Sequence, residues 1–291
     1  MVRPNMNWLE LDITYVCGMN CHNCNRMTGI APGRPEQNVT VGQIDTLIAD
    51  SIRLQYPWRE WFLVGGEPTT HPELDAIVGR IAEYRSAHNP ELRLTLATHG
   101  NGEKTQRRLT ELAAAFPFLQ FLNSHKTSSV QPEFVAPCIA PVDLDPEWAA
   151  NHCYDGCSVS GHCGISMNFA GFYPCAVAGA IDRIFGLNQA VVDLADVSEA
   201  AMIEKYQTFC RLCGYYRPIR ESSCTVLSPT WRVTLDRYRA REAGCEVSGD
   251  PTAEQKEEDR LLLPEFPCFP YPNATSIPSR PGLCQTRVGG C

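Results

Sequence analysis

Segments with a two-residue hydrophobic period and segments with a helical period take turns along the first 145 positions. No other feature of the chain restricts its fold as strongly. In NWLELDITYVC, apolar Leu9, Leu11 and Ile13 alternate with polar Glu10, Asp12 and Thr14, which is the pattern of a strand. Helical spacing follows in VGQIDTLIADSIRLQ, then a strand in WFLVGG and a helix in PELDAIVGRIAEYRSAH. LRLTLATHG reads as a strand, GEKTQRRLTELAAAF as a helix and FLQFLNS as a further strand. Strands alternating with helices require crossover connections, right-handed by the general rule, and so a parallel sheet or barrel. The four or five units before residue 145 are too few for an eight-unit barrel. The expected class is α/β.

The 291 residues suffice for one large domain, or one domain with a smaller partner, and 44% hydrophobic content supports a sizeable core. No apolar run reaches the ~18 residues of a membrane span. MVRPNMNWLELD lacks the basic-then-apolar pattern of a secretory leader. The expectation is a soluble, cytoplasmic protein with no membrane partner. A net charge of −8 disfavours nucleic acid. It mildly favours a cationic ligand, although solubility alone accounts for it equally well.

Fifteen cysteines need a reason in such a chain. An odd number without a leader argues against a disulfide framework, and clusters point to metal or redox chemistry. Buried, inert thiols account for some of them, but not for the clusters. One cluster is CGMNCHNC, with Cys17, Cys21 and Cys24 in a C-x3-C-x2-C pattern directly after the first strand. Thiolates so spaced on a curling loop can hold three corners of a cubane iron–sulfur cluster and leave the fourth iron open. Zinc is the rival, but structural zinc takes four protein ligands, and His22, between two of the cysteines, is badly placed to be the fourth.

This spacing resembles the signature of the radical S-adenosylmethionine enzymes. LVGGEPTTHPEL, at the end of the second strand, is similar to that family's GGEP motif, with Gly65, Gly66, Glu67 and Pro68. The resemblance covers roughly residues 8–145 and implies a partial (β/α)6 barrel. It implies that Gly65–Pro68 hold the methionine moiety of S-adenosylmethionine. Thr98 and Asn101, in ATHGNG, are the implied contacts to its carboxylate or ribose. It also implies an electron donor such as flavodoxin or ferredoxin. The chain departs from the family pattern just before the third cysteine, where Asn23 stands in place of an aromatic residue.

After Pro146 the character changes, and six cysteines fall between Cys153 and Cys213. Cys163 and Cys175 bracket the hairpin-like CGISMNFAGFYPC, and Cys210 and Cys213 form a C-x2-C pair after a helical interval. This arrangement resembles the Twitch form of the SPASM extension, which implies a second, auxiliary 4Fe–4S cluster on Cys163, Cys175, Cys210 and Cys213. Cys153, Cys157 and Cys224 are possible replacements. Cys157 is the alternative to Cys163 in particular, because the hairpin is short for the pattern. Spacing does not separate this from a zinc site. The expected organisation is a barrel core over 1–145, a small cysteine-rich auxiliary domain over 146–245, and an irregular Pro- and Cys-rich tail over 246–291.

The first strand bears on the substrate. With Leu9, Leu11 and Ile13 facing the helices, Glu10 and Asp12 face the interior, where carboxylates need partners. A cationic ligand would pair with them, as would an arginine such as Arg93, and Asp143, Asp145 and Glu147 would add to an acidic site. Chains of this size with a Twitch-like segment resemble the aminoglycoside-modifying members, dehydrogenases and epimerases, with the neomycin-type epimerases nearest. Peptide-modifying members are the more distant alternative, since they carry an N-terminal recognition domain and here the first strand begins near Asn7. Epimerisation needs a thiol to return a hydrogen atom, and Cys245 is the expected donor. The alternative outcome is oxidation of an alcohol to a ketone.

Overall fold

The computed structural model describes residues 1–129, 135–152, 155–216 and 225–242. Its centre is β1 (Trp8–Thr14), whose residues after Trp8 are all buried. Leu9, Leu11 and Ile13 enter the main apolar core with Ile44, Leu47, Leu63, Ile77 and Leu96. Each such side chain stabilises the fold by about 1.5–3 kcal/mol. A one-residue slip of β1 would replace them with Glu10, Asp12 and Thr14, so the register is strongly fixed.

β2 (Glu60–Gly65), β3 (Arg93–Thr98) and β4 (Gln120–Asn123) follow as parallel neighbours on one side of β1. Between them run α1 (Val41–Arg53), α2 (Leu74–His88) and α3 (Glu103–Ala115), matching the helical periods in the sequence. Thr40 starts α1: its hydroxyl accepts from Gln43 N–H, while the Gln43 side chain accepts from Thr40 N–H. This reciprocal cap is worth about 1 kcal/mol. Ile44 and Leu47 then turn the buried face of α1 to the sheet.

Past β4 come α4 (Pro141–Leu144), α5 (Pro146–His152) and α6 (Ser158–Cys163). The hairpin β5 (Ile165–Asn168) and β6 (Gly171–Tyr173) leads into α7 (Ala176–Phe185). The short helices α8 (Glu199–Glu204) and α9 (Tyr206–Phe209) and the longer α10 (Pro229–Glu242) complete the described chain. β5 pairs in parallel with β1, Leu9 opposite Ile165 and Leu11 opposite Met167, and the sheet order is β4-β3-β2-β1-β5-β6.

The α/β class is therefore as expected, with a mostly parallel sheet of six strands. The route to six strands differs from six β/α units. Four strands belong to the N-terminal alternation, and the last two are the cysteine-rich segment's hairpin, added to the free edge of β1. Sequence expected that hairpin in a separate domain beginning at 146. An unpaired β1 edge would leave its N–H and C=O groups exposed, and β5 covers it. No helix among the described residues is long and apolar enough to cross a membrane.

Candidate functional site

The carboxyl ends of β1 to β4 point the same way, and the segments leaving them surround one cavity of ≈ 640 Å³, mouth included. Ligands of open parallel sheets bind at such strand ends. Cys17, Cys21 and Cys24 line it from the loop after β1, Gly65 and Gly66 from the end of β2, and Thr98 from the end of β3. The structure thus brings together three cysteines, two glycines and a threonine that are far apart in sequence.

Two glycines are needed because backbone meets backbone here. Gly66 N–H donates to Thr14 C=O at 2.7 Å and Glu67 N–H to Val16 C=O at 2.8 Å, which ties the turn after β2 to the chain leading into Cys17. A Cβ on Gly65 would collide with the Thr14 carbonyl oxygen, and one on Gly66 with that of Val16. Gly65 also has φ +127°, a conformation open to glycine.

Glu67 does not line the cavity. It is fully buried and accepts from Thr69 N–H and Oγ1, Thr98 Oγ1 and His99 N–H, at 2.8–3.2 Å. It knits β2 to β3 beneath the cavity floor, while Pro68 opens the 3-10 turn Pro68–Thr70 behind it. Asn101 is exposed and also lies outside the lining: its side-chain amide donates to Lys126 C=O, and its N–H to His99 Nδ1. It braces two residues that do line the cavity, His99 and Lys126, both unremarked in the sequence. The signal for them was present, since NSHK follows the fourth strand as ATHGNG follows the third.

Glu10 and Asp12 face inward as expected, but they are not open to a cationic ligand. Arg26, two residues past Cys24, reaches back with Nη2 2.6 Å from Glu10 and Nε 3.0 Å from Asp12. All three side chains are buried, and Tyr15 OH donates to the second Asp12 oxygen at 3.1 Å. Burial pushes Asp12 upward, and Arg26 opposes that shift. Arg93, the sequence's candidate partner, instead pairs with Glu60. Asp143 accepts from the N–H and hydroxyl of Thr230, which ties α4 to the start of α10, and Asp145 accepts from Trp148 N–H in a local turn.

The thiols of Cys17 and Cys21 are pushed up chiefly by burial, Cys17 to about 11. Met19 N–H donates to Cys17 Sγ at 3.4 Å, a contact that favours the thiolate. Asn23 adopts the left-handed region at φ +55°, which asparagine tolerates better than most residues. Its N–H donates to Thr225 Oγ1 and its Oδ1 accepts from Val226 N–H, so the position before the third cysteine docks a distant segment of the chain. His22 lies outside the cavity lining. Cys138, not singled out from sequence, is a buried thiol close enough to Cys24 for their charges to interact.

A second cavity, ≈ 390 Å³ with its mouth, is lined by Cys157, Cys175, Cys210 and Cys213. Cys163 is not among them. Cys157 precedes α6 and Cys163 ends it, about 9 Å apart along the axis. Cys157, at the start of α6, and Cys175, at the start of α7, share the cavity, while Cys163 stands at the other end of α6. Of the two, Cys157 is the one that lines this cavity. Backbone N–H groups of Val159 and Ser160 donate to Cys157, those of Val177 and Ala178 to Cys175, and those of Tyr215 and Tyr216 to Cys213. Burial pushes these thiols up, Cys175 to about 12, and the amide donors favour the thiolate. Cys153, Cys224, Cys245 and the 246–291 tail lie outside the described residues.

Among the described residues no three His, Cys, Asp or Glu side chains are placed to hold a single metal ion. Each cavity is lined by several cysteines, and thiolates are the ligands of iron–sulfur clusters. Several amide donors to ligand sulfur are likewise a feature of iron–sulfur sites. Both cysteine sets therefore fit such clusters.

No protein-family model matches the chain, and no curated protein matches it. Among solved structures it is similar to BtrN in complex with AdoMet and 2-DOIA, at 17% identity and a TM-score of 0.42 over 73% of this chain and 89% of that one. It is similar to BtrN in an open conformation at 18% identity and a TM-score of 0.38 over 73% and 87% of the two chains. SuiB of Streptococcus suis bound to S-adenosylmethionine matches at 16% identity and 0.32, over 42% of this chain and 25% of that one.

Proposed function

We propose that the chain is a radical S-adenosylmethionine enzyme with an auxiliary iron–sulfur cluster, acting on a small molecule. The observation that carries this reading is the convergence of Cys17, Cys21 and Cys24 with Gly65, Gly66 and Thr98 on one cavity at the sheet's carboxyl edge. Cys17, Cys21 and Cys24 would hold a cluster with one iron lacking a protein ligand, and together with bound S-adenosylmethionine it would supply a 5′-deoxyadenosyl radical. The chain's own part is positional. Glu67 fixes Thr98 and His99 at the cavity wall, the turn at Gly65–Gly66 holds the cysteine loop, and Arg26 holds that loop to β1.

Cys157, Cys175, Cys210 and Cys213 would hold the auxiliary cluster. The finer reading from sequence is epimerisation of an aminoglycoside carbon, with Cys245 returning the hydrogen atom. Oxidation of an alcohol to a ketone is the second reading, favoured by the four-cysteine cavity, since a cluster with a complete thiolate shell can accept an electron. The aminoglycoside expectation rests on the resemblance alone, because the carboxylates that would have bound a cation are paired with Arg26. Turnover with candidate aminoglycosides in deuterated water separates the outcomes. Epimerisation places solvent deuterium at the inverted carbon and stops in Cys245→Ala. Oxidation gives a ketone and survives that substitution.

A further inference from the structure

Two buried hydroxyls stand in the wall of the second cavity, and between them they touch every chain segment that brings a cysteine to it. Tyr206 begins α9 and Ser160 lies in α6; both line the cavity, and they are 1% and 2% exposed. Their oxygens are 2.7 Å apart. Ser160 Oγ donates its one proton to Pro174 C=O at 3.0 Å, so in the short contact Tyr206 is the donor and Ser160 the acceptor. A second acceptor, Val2 C=O, lies farther from the Tyr206 oxygen, at 3.3 Å.

Both residues are tied to cysteines. Ser160 stands three positions past Cys157, and Pro174 directly precedes Cys175. Tyr206 C=O accepts from Cys210 N–H, and Cys210 C=O accepts from Cys213 N–H. The Tyr206 ring also meets the other side of the Cys157 segment. A Cβ on Gly156 would stand 2.7 Å from that ring, and Gly156 has φ +70°, a conformation open to glycine. Cys157 therefore sits between two contacts of one tyrosine, its ring against Gly156 and its hydroxyl on Ser160. The hydroxyl protons are spent between chain segments, so the pair sets spacing rather than donating to an occupant of the cavity. Separating the segments would leave buried hydroxyls unpaired, which opposes the movement.

Resting on the reading of the second cysteine set as a cluster site, we propose that Tyr206 and Ser160 are the positioning residues of that cluster. Their shared hydrogen bond fixes the segments of Cys157, Cys175 and the Cys210–Cys213 pair relative to one another, and so sets how firmly the cluster is held.

The test is the release of iron to a chelator from the anaerobically reconstituted full chain, with the two clusters followed separately by electron paramagnetic resonance after reduction. The variants are Tyr206→Phe, Ser160→Ala and the two combined. Phenylalanine keeps the ring against Gly156 and removes only the oxygen. Each single variant should lose the second cluster about fivefold faster than the wild type, with the first cluster's rate unchanged. The combined variant should lose it no faster than Ser160→Ala, because both changes break one bond. An unchanged rate in Tyr206→Phe overturns the proposal. Effects that multiply in the combined variant also overturn it, since the hydroxyls then act independently. Equal acceleration at both clusters marks a general loosening of the fold and overturns it as well. Should a variant not fold, hydrogen exchange of the loaded wild-type chain decides. Residues 157–160 and 206–209 opening at one common rate support the pairing, and independent rates contradict it. A wild-type chain that holds zinc, or one cluster only, overturns the cluster reading itself and the proposal with it.

Discussion

At the scale of single residues, the sharpest consequence concerns which cysteines carry the second site. Cys157→Ala should lower the iron content of the reconstituted chain from about eight to about four per chain, and Cys163→Ala should leave it unchanged. The reverse pattern would mean that the cavity lined by Cys157 is not the binding site. Arg26→Met is a second case. It strips two buried carboxylates of their cation, and breaking a buried pair in this way costs about 3–5 kcal/mol, read as a fall in thermal unfolding temperature. Sequence gave the directions of Glu10 and Asp12 correctly, because strand alternation dictates them. It missed their partner, because Arg26 stands 14 and 16 positions away in an irregular loop, where spacing says nothing about where a side chain points.

Among elements, the turn between β2 and α2 is the most exacting. Gly66→Ala sets a Cβ against the Val16 carbonyl, so the turn and the loop toward Cys17 must separate. The expected outcome is a folded protein whose affinity for S-adenosylmethionine falls tenfold or more, a change of about 1.4 kcal/mol, measurable by calorimetry on the reconstituted chain. Unchanged affinity would mean that the turn does not shape the site. The strands and helices up to β4 were legible because each carries its own hydrophobic period. The pairing of β5 with β1 was not, since it joins segments over 150 residues apart and nothing local encodes it. The choice between Cys157 and Cys163 turned on α6, a helix of six residues, too short to show a period.

Taken whole, the molecule is one sheet with a cysteine-lined cavity at the carboxyl ends of its parallel strands and a second beside its hairpin edge, cross-linked by buried arginines. Burial raises the free thiols, so loading either site must release protons. Iron uptake at fixed free iron and sulfide should therefore strengthen as pH rises from 7 toward 9, because the competing proton is easier to remove. An uptake that is flat with pH would indicate thiolates already formed in the empty sites. The central claim, that the first cavity holds a cluster able to cleave S-adenosylmethionine, is tested most directly by measuring 5′-deoxyadenosine. The reconstituted chain, reduced anaerobically in the presence of S-adenosylmethionine, should produce it, and Cys21→Ala should not. A wild-type chain that yields none, and that carries zinc without sulfide, would contradict the account.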